Sequence, residues 1–209
     1  MFIGIIPARG GSKGIPRKNI KTVFGKPLIY WSIQAAKKSK LLNKFYVSTE
    51  DPEIARISSE LGASVLKRPD NLSRDDSTTM AVLQHHFQED LEDTEAIVLL
   101  QCTSPYRDES LIDDCIKKYN EGNYDSLATG FHCTYEPWGK SNRPRQEIGG
   151  FFYDDGNVYI LSSDLLEKHN PTTCGDRPFQ YHTHRYHNHE IDDDFDLMIS
   201  EKIFEFKRV

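Results

Sequence analysis

The sequence predicts an α/β fold: a mostly parallel sheet with helices on both faces and a small antiparallel excursion toward the C-terminus. Three observations carry this. Short apolar runs recur without polar alternation, as strands buried on both faces require. They alternate with segments of helical period, which calls for parallel strands joined by crossover helices. The two least ordinary loops, residues 8–19 and 101–107, directly follow two of those strands, where sheets of this kind bind ligands.

The elements justify themselves in order. Residues 2–7 are a short isoleucine-rich run and predict a buried strand. Residues 8–19 hold Gly10, Gly11, Gly14 and Pro16 and predict a loop. Pro27 suits the first turn of a helix reaching about Lys38. A second strand covers 44–48, and Asp51-Pro52 opens a helix to about Leu61, with Asp51 as N-cap and Gly62 as its stop. A third strand covers 63–66. Residues 77 to about 91 predict a helix capped by Asp76 or Ser77, and 96–100 is the most apolar strand. A helix from 108 to about 119 and a strand at 126–131 follow. Residues 133–150 suggest a loop, 156–161 a strand, 180–192 a strand region dense in histidine and tyrosine, and 194–206 an amphipathic helix.

The 209 residues suit a single domain over 1–209, with an excursion around 132–156. A formal net charge of −6 speaks against a nucleic-acid binder. No apolar run approaches the roughly 20 residues of a membrane span, and Met1 to Ala8 are too few for a secretory leader. Cys102, Cys115, Cys133 and Cys174 form no C-x-x-C pair and are expected to be reduced thiols of a cytoplasmic protein.

Residues 8–19 pack four cations and three glycines into twelve positions. Glycines let backbone N–H groups turn toward one point, and Arg9, Lys13 and Lys18, assisted by Arg17, suit a polyphosphate. The loop is not a Walker A motif, since no Gly-Lys-Ser/Thr closes it.

From Ile5-Ile6-Pro7-Ala8-Arg9-Gly10-Gly11-Ser12-Lys13-Gly14-Ile15-Pro16-Arg17-Lys18-Asn19 the chain resembles the CMP-sialic acid synthetase family, cytidylyltransferases for nonulosonic acids. The resemblance implies a Rossmann-like sheet of the nucleotide-diphospho-sugar transferase type. It implies that Arg9, Ser12, Lys13 and Lys18 contact a triphosphate, within a nucleotide site that includes Ala8, Gly10, Gly11 and Asn19. Residues 67–77 resemble the family's Arg-Pro…Leu…Asp segment, with Arg68 and Ser77 toward the cytosine edge. Residues 99–107 resemble its Leu-Gln-Pro-Thr-Ser-Pro-Leu-Arg loop, with Gln101 and Ser104 toward the acceptor and Cys102 in place of a proline. A nucleophilic role for Cys102 is not required by such a transfer. Arg143-Pro-Arg145-Gln146 and Asn157-Val158-Tyr159 resemble an Arg-Arg-Gln element, which would pair Arg145 with an acceptor carboxylate or phosphate, and an Asn-Gly-x-x-Tyr strand. Here the strand begins Asp154-Asp155-Gly156-Asn157, and the stretch before Arg143 is shorter than the family's dimerisation and sugar-closing extension.

Residues 190–197 resemble the family's acidic element, a carboxylate pair for Mg²⁺ at Glu190 and Asp192. In extended backbone, residues two apart share a face. Asp194 is the alternative second ligand or the cap of the last helix. His182, His184, His187 and His189 suit either a transition-metal site or the wall of an acceptor pocket. Together these features imply in-line transfer of CMP from CTP to a small acidic acceptor, a nonulosonic sugar, by a homodimer that touches neither nucleic acid nor membrane. A phosphorylated acceptor giving a CDP-linked product and a non-catalytic CTP-binding regulator are the alternatives.

Overall fold

Seven strands of this protein form one sheet in the order β5-β4-β1-β6-β8-β7-β9. The structure is a computed structural model that describes residues 1–91, 94–137, 139 and 144–207. In chain order the elements are β1 (Phe2–Pro7), β2 (Thr22–Val23), β3 (Lys26–Pro27), α1 (Leu28–Lys38), β4 (Lys44–Thr49), α2 (Pro52–Glu60), β5 (Ser64–Lys67), α3 (Thr79–Glu89), β6 (Ala96–Leu99), α4 (Leu111–Asn120), β7 (Ser126–Cys133), β8 (Phe151–Ser162), α5 (Ser163–Leu166), β9 (Pro178–His182) and α6 (Asp194–Lys207).

β1 pairs parallel with β4 and β6, and β4 with β5. β8 runs antiparallel to both β6 and β7, and β7 pairs parallel with β9. The strand order reverses direction between β1 and β6, which opens a crevice at their carboxyl ends. Both faces of the central strands are buried. Ile6, Val98 and Ile160 pack with α1, α2 and α4 on one face; Ile3, Ile5, Ile97 and Leu99 pack with α3 and α5 on the other. Apolar runs without polar alternation thus follow from two-sided cover.

Several element boundaries move, each for a local reason. Pro27 pairs in a two-strand hairpin before α1 and is that helix's N-cap rather than its first turn. Thr78, not Asp76 or Ser77, caps α3 by accepting from Ala81 N–H. Residues 180–192 are strand only as far as His182, after which Thr183 bonds back to Gly130 and the chain turns. Asp193, not Asp194, caps α6, accepting from the N–H groups of Phe195 and Asp196. Asp51 caps α2 as expected, with Glu53 and Ile54 as donors. The β7–β8 ladder breaks its register between Ala128 and Gly130, so Thr129 faces residues 155–158 of β8.

A third apolar cluster decides the site. Ile15 from the basic loop and Ile191 from the acidic segment bury together with Val23 and Leu28. This contact draws Lys18 toward Asp192 across 174 positions of sequence.

Candidate active site

A cleft of about 270 Å³ opens at the carboxyl ends of β1, β5 and β6. It is lined by Arg9, Gly11, Ser12, Lys18, Asn19, Arg68, Ser77 and Gln101, together with Asp75, Thr79 and Thr103. The loop after β1 is held by its own polar groups. Ala8 N–H donates to the Ser48 carbonyl, Gly10 N–H to Glu50, and the Asn19 side chain to the Arg9 carbonyl. Ala8 and Gly10 therefore support the cleft from behind, and the Gly10 N–H is already in use.

The cations divide by task. Arg9 and Lys13 both bind the Asp75 carboxylate, at 2.7 and 2.8 Å. These two partners hold Asp75 below the usual carboxylate range. Lys13 stays largely exposed at the rim. Lys18 is mostly buried and lies 2.8 Å from Asp192. Arg17 does not assist them. It adopts a left-handed backbone (φ 58°) and binds Asp51 and Glu53, which raises its pKa and ties the loop to α2.

Arg68 is 4% exposed at the floor of the cleft. Its Nε donates to Ser48 Oγ and its Nη2 to the Ser48 carbonyl, at 3.1 and 2.8 Å. Burial lowers its pKa. Ser77 Oγ donates to the Asn71 carbonyl and so closes the 71–77 turn at the cleft wall. Cys102 is buried, and desolvation raises its thiol to about 12, which fits a wall residue and not a nucleophile.

Glu190 and Asp192 flank the fully buried Ile191, whose N–H donates to the Thr103 carbonyl. Burial, then the neighbouring Asp192, Asp154 and Asp155, push the Glu190 carboxyl up to about 7. Gly156 permits the approach: its φ is +66°, and a Cβ there would lie 2.0 Å from Glu190 Oε1. A Cβ on Gly14 would lie 2.1 Å from the Asp192 carbonyl. The basic loop meets the acidic segment at Gly14, and β8 meets it at Gly156.

The cytidylyltransferase family profile matches residues 3–142. The chain belongs to this family. It is 32% identical to the N-acylneuraminate cytidylyltransferase of Streptococcus agalactiae serotype III, over 98% of this chain and 54% of that protein. It is 32% identical to the pseudaminic acid cytidylyltransferase of Campylobacter jejuni, over 78% of this chain and 72% of that protein. The chain spans about half the length of the N-acylneuraminate relatives it matches. A solved CMP:2-keto-3-deoxy-manno-octonic acid synthetase, complexed with CTP, shares the fold with a TM-score of 0.76 at 13% identity, covering 99% of each chain.

The contacts expected for an acceptor are more deeply placed than the sequence suggests. Ser104 has no exposure and donates to the Asp155 carbonyl, so its hydroxyl is used inside the fold. Asn157 is equally buried and donates to the His187 carbonyl. Both shape the site from below its surface. Arg145 begins a one-turn 3₁₀ helix, Arg145–Glu147; its side chain, and all of Arg143, lie outside the described residues. The four histidines do not converge. His182 meets the Phe152 ring edge, His184 the Tyr186 ring, His187 Nε2 lies 3.0 Å from Asp108, and His189 bonds the Asp196 carbonyl. A transition-metal site among them is not formed.

Two groups escaped sequence reasoning. Arg107 is half-buried and donates to Gln101 O, Asn157 O and Ser32 Oγ, tying the loop after β6 to β8. Burial pulls its pKa down to about 10, which leaves it charged. Asp155 has no exposure and accepts from Thr129, Thr183 and the Asn157 N–H. The signal for Arg107 was its place at the end of the Gln101 motif; Asp155 had none beyond its departure from Asn-Gly.

Proposed function

We propose that this protein transfers a cytidylyl group from CTP to a small acidic acceptor, a nonulosonic sugar of the sialic acid class, and releases pyrophosphate. The observation that carries the proposal is the junction of Lys18 with Asp192 at one end of a cleft that has Arg68 and Ser77 at the other. Such a cleft offers cations for phosphates at one end and hydrogen-bonding groups for a base at the other. Names of the relatives, for N-acylneuraminate and pseudaminic acid, support the acceptor class.

The reaction is an in-line attack on the α-phosphorus, which needs alignment and charge neutralisation more than covalent help. Arg9, Lys13 and Lys18 hold the pyrophosphate as its negative charge grows. Arg68 and Ser77 address the base, and Arg107 fixes the Gln101 carbonyl beside the reacting end. Glu190 and Asp192 fit a hard divalent cation: a partly buried carboxyl raised to about 7 by its acidic neighbours is a donor set short of positive charge. Glu190 and Asp192 would hold Mg²⁺, which would supply neutralisation of the triphosphate's charge. Entry of CTP requires Arg9 and Lys13 to exchange Asp75 for phosphate.

The protein acts as a homodimer in the cytoplasm. Exposed Tyr135, Phe151 and Tyr153 at the outer end of the β7–β8 hairpin support a second copy there. Cys102, Cys115 and Cys133 are buried free thiols, in keeping with a reducing compartment. Pyrophosphate release with CTP and an acceptor panel tests the proposal. Turnover with nonulosonic acids is expected. Turnover only with phosphorylated small acids would replace the acceptor class, and CTP binding without turnover would leave a regulator.

A further inference from the structure

Behind the cleft, a buried chain of polar groups runs from the base-facing end to the surface at the C-terminal end of α3. Arg68 Nε donates to Ser48 Oγ at 3.1 Å. Ser48 Oγ lies 2.7 Å from His86 Nε2, and His86 Nδ1 lies 2.7 Å from Asp90 Oδ2. Ser48 and His86 have no exposure at all, while Asp90 is the C-cap of α3 and reaches solvent. β4, α3 and the segment after β5 supply these four side chains, of which the transfer chemistry uses Arg68 alone.

The chain has a direction. A carboxylate only accepts, so His86 Nδ1 carries the hydrogen. His86 Nε2 is then an acceptor and takes the Ser48 hydroxyl hydrogen. Ser48 Oγ is thereby left as the acceptor for Arg68 Nε–H. The neutral ring with hydrogen on Nδ1 gives every donor of the chain an acceptor, whereas a charged ring would make Nε2 a donor and leave the Ser48 hydroxyl hydrogen without its partner. Burial is the main influence on His86 and lowers its pKa, which keeps the ring neutral at pH 7. The groups facing it are Asp90 and His85 from its own helix, Ser48 from β4 and Arg68 beyond. Glu50, Cys102 and Arg9 face Arg68 from the other sides.

We propose that Asp90, His86 and Ser48 are positioning residues that lock the Arg68 guanidinium in the orientation that distinguishes cytosine from uracil. Ser48 holds Nε through its hydroxyl and Nη2 through its carbonyl, and that same carbonyl accepts from Ala8 N–H. Nη1 has no hydrogen-bond partner among the described residues and is left for the ligand. Cytosine N3 accepts a hydrogen bond where uracil N3 donates one, so a fixed N–H donor favours the first and rejects the second. A guanidinium free to turn loses that discrimination. His85, His86 and Asp90 also stand close enough to share a cation. Both ring nitrogens of His86 are already engaged, however, and a cation there would break the chain.

The inference rests on the CTP reading, and the test separates the two. Calorimetry measures the dissociation constants of CTP and UTP for the full chain and for Ser48→Ala, His86→Leu, Asp90→Ala and Asp90→Asn, with thermal melts reporting the fold. Ser48→Ala and His86→Leu are expected to lower the CTP-over-UTP preference about tenfold, or about 1.4 kcal/mol. Asp90→Asn keeps an acceptor for the ring N–H and loses less than Asp90→Ala. If His86→Leu fails to fold, Ser48→Ala carries the test. Folded variants that keep the parent's preference would overturn the positioning role alone. A parent chain that binds both nucleotides equally would overturn the CTP reading and this role together.

Discussion

Replacing Glu190 with glutamine removes one charge from the acidic end of the cleft and keeps the shape of the side chain. In the fold the Glu190 carboxyl stands at about 7, against 4.5 for an ordinary glutamate. A raised carboxyl pKa means that the ionised form is disfavoured in the folded state. The penalty is absent below pH 4.5, grows as pH rises through 4.5 to 7, and is complete above 7. At 1.36 kcal/mol per pH unit the ceiling is roughly 3 kcal/mol. Partial solvent access reduces this to about 1–2 kcal/mol. Glu190→Gln is therefore expected to raise the metal-free melting temperature at pH 8 by about 2–8 °C, at about 2–4 °C per kcal/mol for a chain of this size. At pH 4 the gain should vanish. Mg²⁺ should raise the parent's melting temperature at pH 8 and leave the variant unmoved. Scanning calorimetry at the two pH values, with and without Mg²⁺, decides it. An equal gain at both pH values, or a loss at pH 8, would refute the reasoning.

Lys18→Ala should lower turnover by roughly 10²–10³-fold with little change in melting temperature, since it removes a cation aimed at charge that develops during transfer; steady-state pyrophosphate release measures it. Gly156→Ala places a Cβ 2.0 Å from Glu190 Oε1 at a φ of +66°; a loss of about 1–3 kcal/mol in denaturant unfolding is expected, with weaker Mg²⁺ binding. Asp75→Asn frees Arg9 and Lys13 from a competing carboxylate. CTP binding should tighten a few-fold by calorimetry, more at low salt than at high.

How far the sequence led depends on whether a feature is local. β1, the glycine-rich loop and α2 were legible because their causes sit within a dozen residues: an unbroken apolar run, glycine density, and Asp51 before Pro52. Much of the lining of the cleft was legible for the same reason. Arg9, Arg68 and Gln101 each stand one or two residues past a strand end, and strand ends of a parallel sheet converge. What stayed hidden depends on distant partners. Ser104 and Asn157 read as exposed polar groups in sequence, yet both are buried, with Ser104 bonded to the Asp155 carbonyl and Asn157 to the His187 carbonyl. Thr78 displaced Ser77 as a cap because Ser77 Oγ is engaged by Asn71, six positions back. The histidines are strand-spaced in sequence, but the turn after Thr183 sends each to a different neighbour.

The break in register between β7 and β8 has a consequence for how such a chain can diversify. A regular antiparallel ladder transmits any insertion along its whole length, because a one-residue slip reverses every side chain. Here Thr129 faces residues 155–158, and its hydroxyl bonds both Asp155 and Val158 across the gap. The outer ladder, Gly130 to Cys133 against Phe151 to Asp154, is thus phased independently of the inner one. Lengthening or trimming the hairpin tip leaves Asp155, Gly156 and the approach to Glu190 where they are. The outer hairpin can change its loop length while the cleft beside β1 and β6 keeps its lining unchanged.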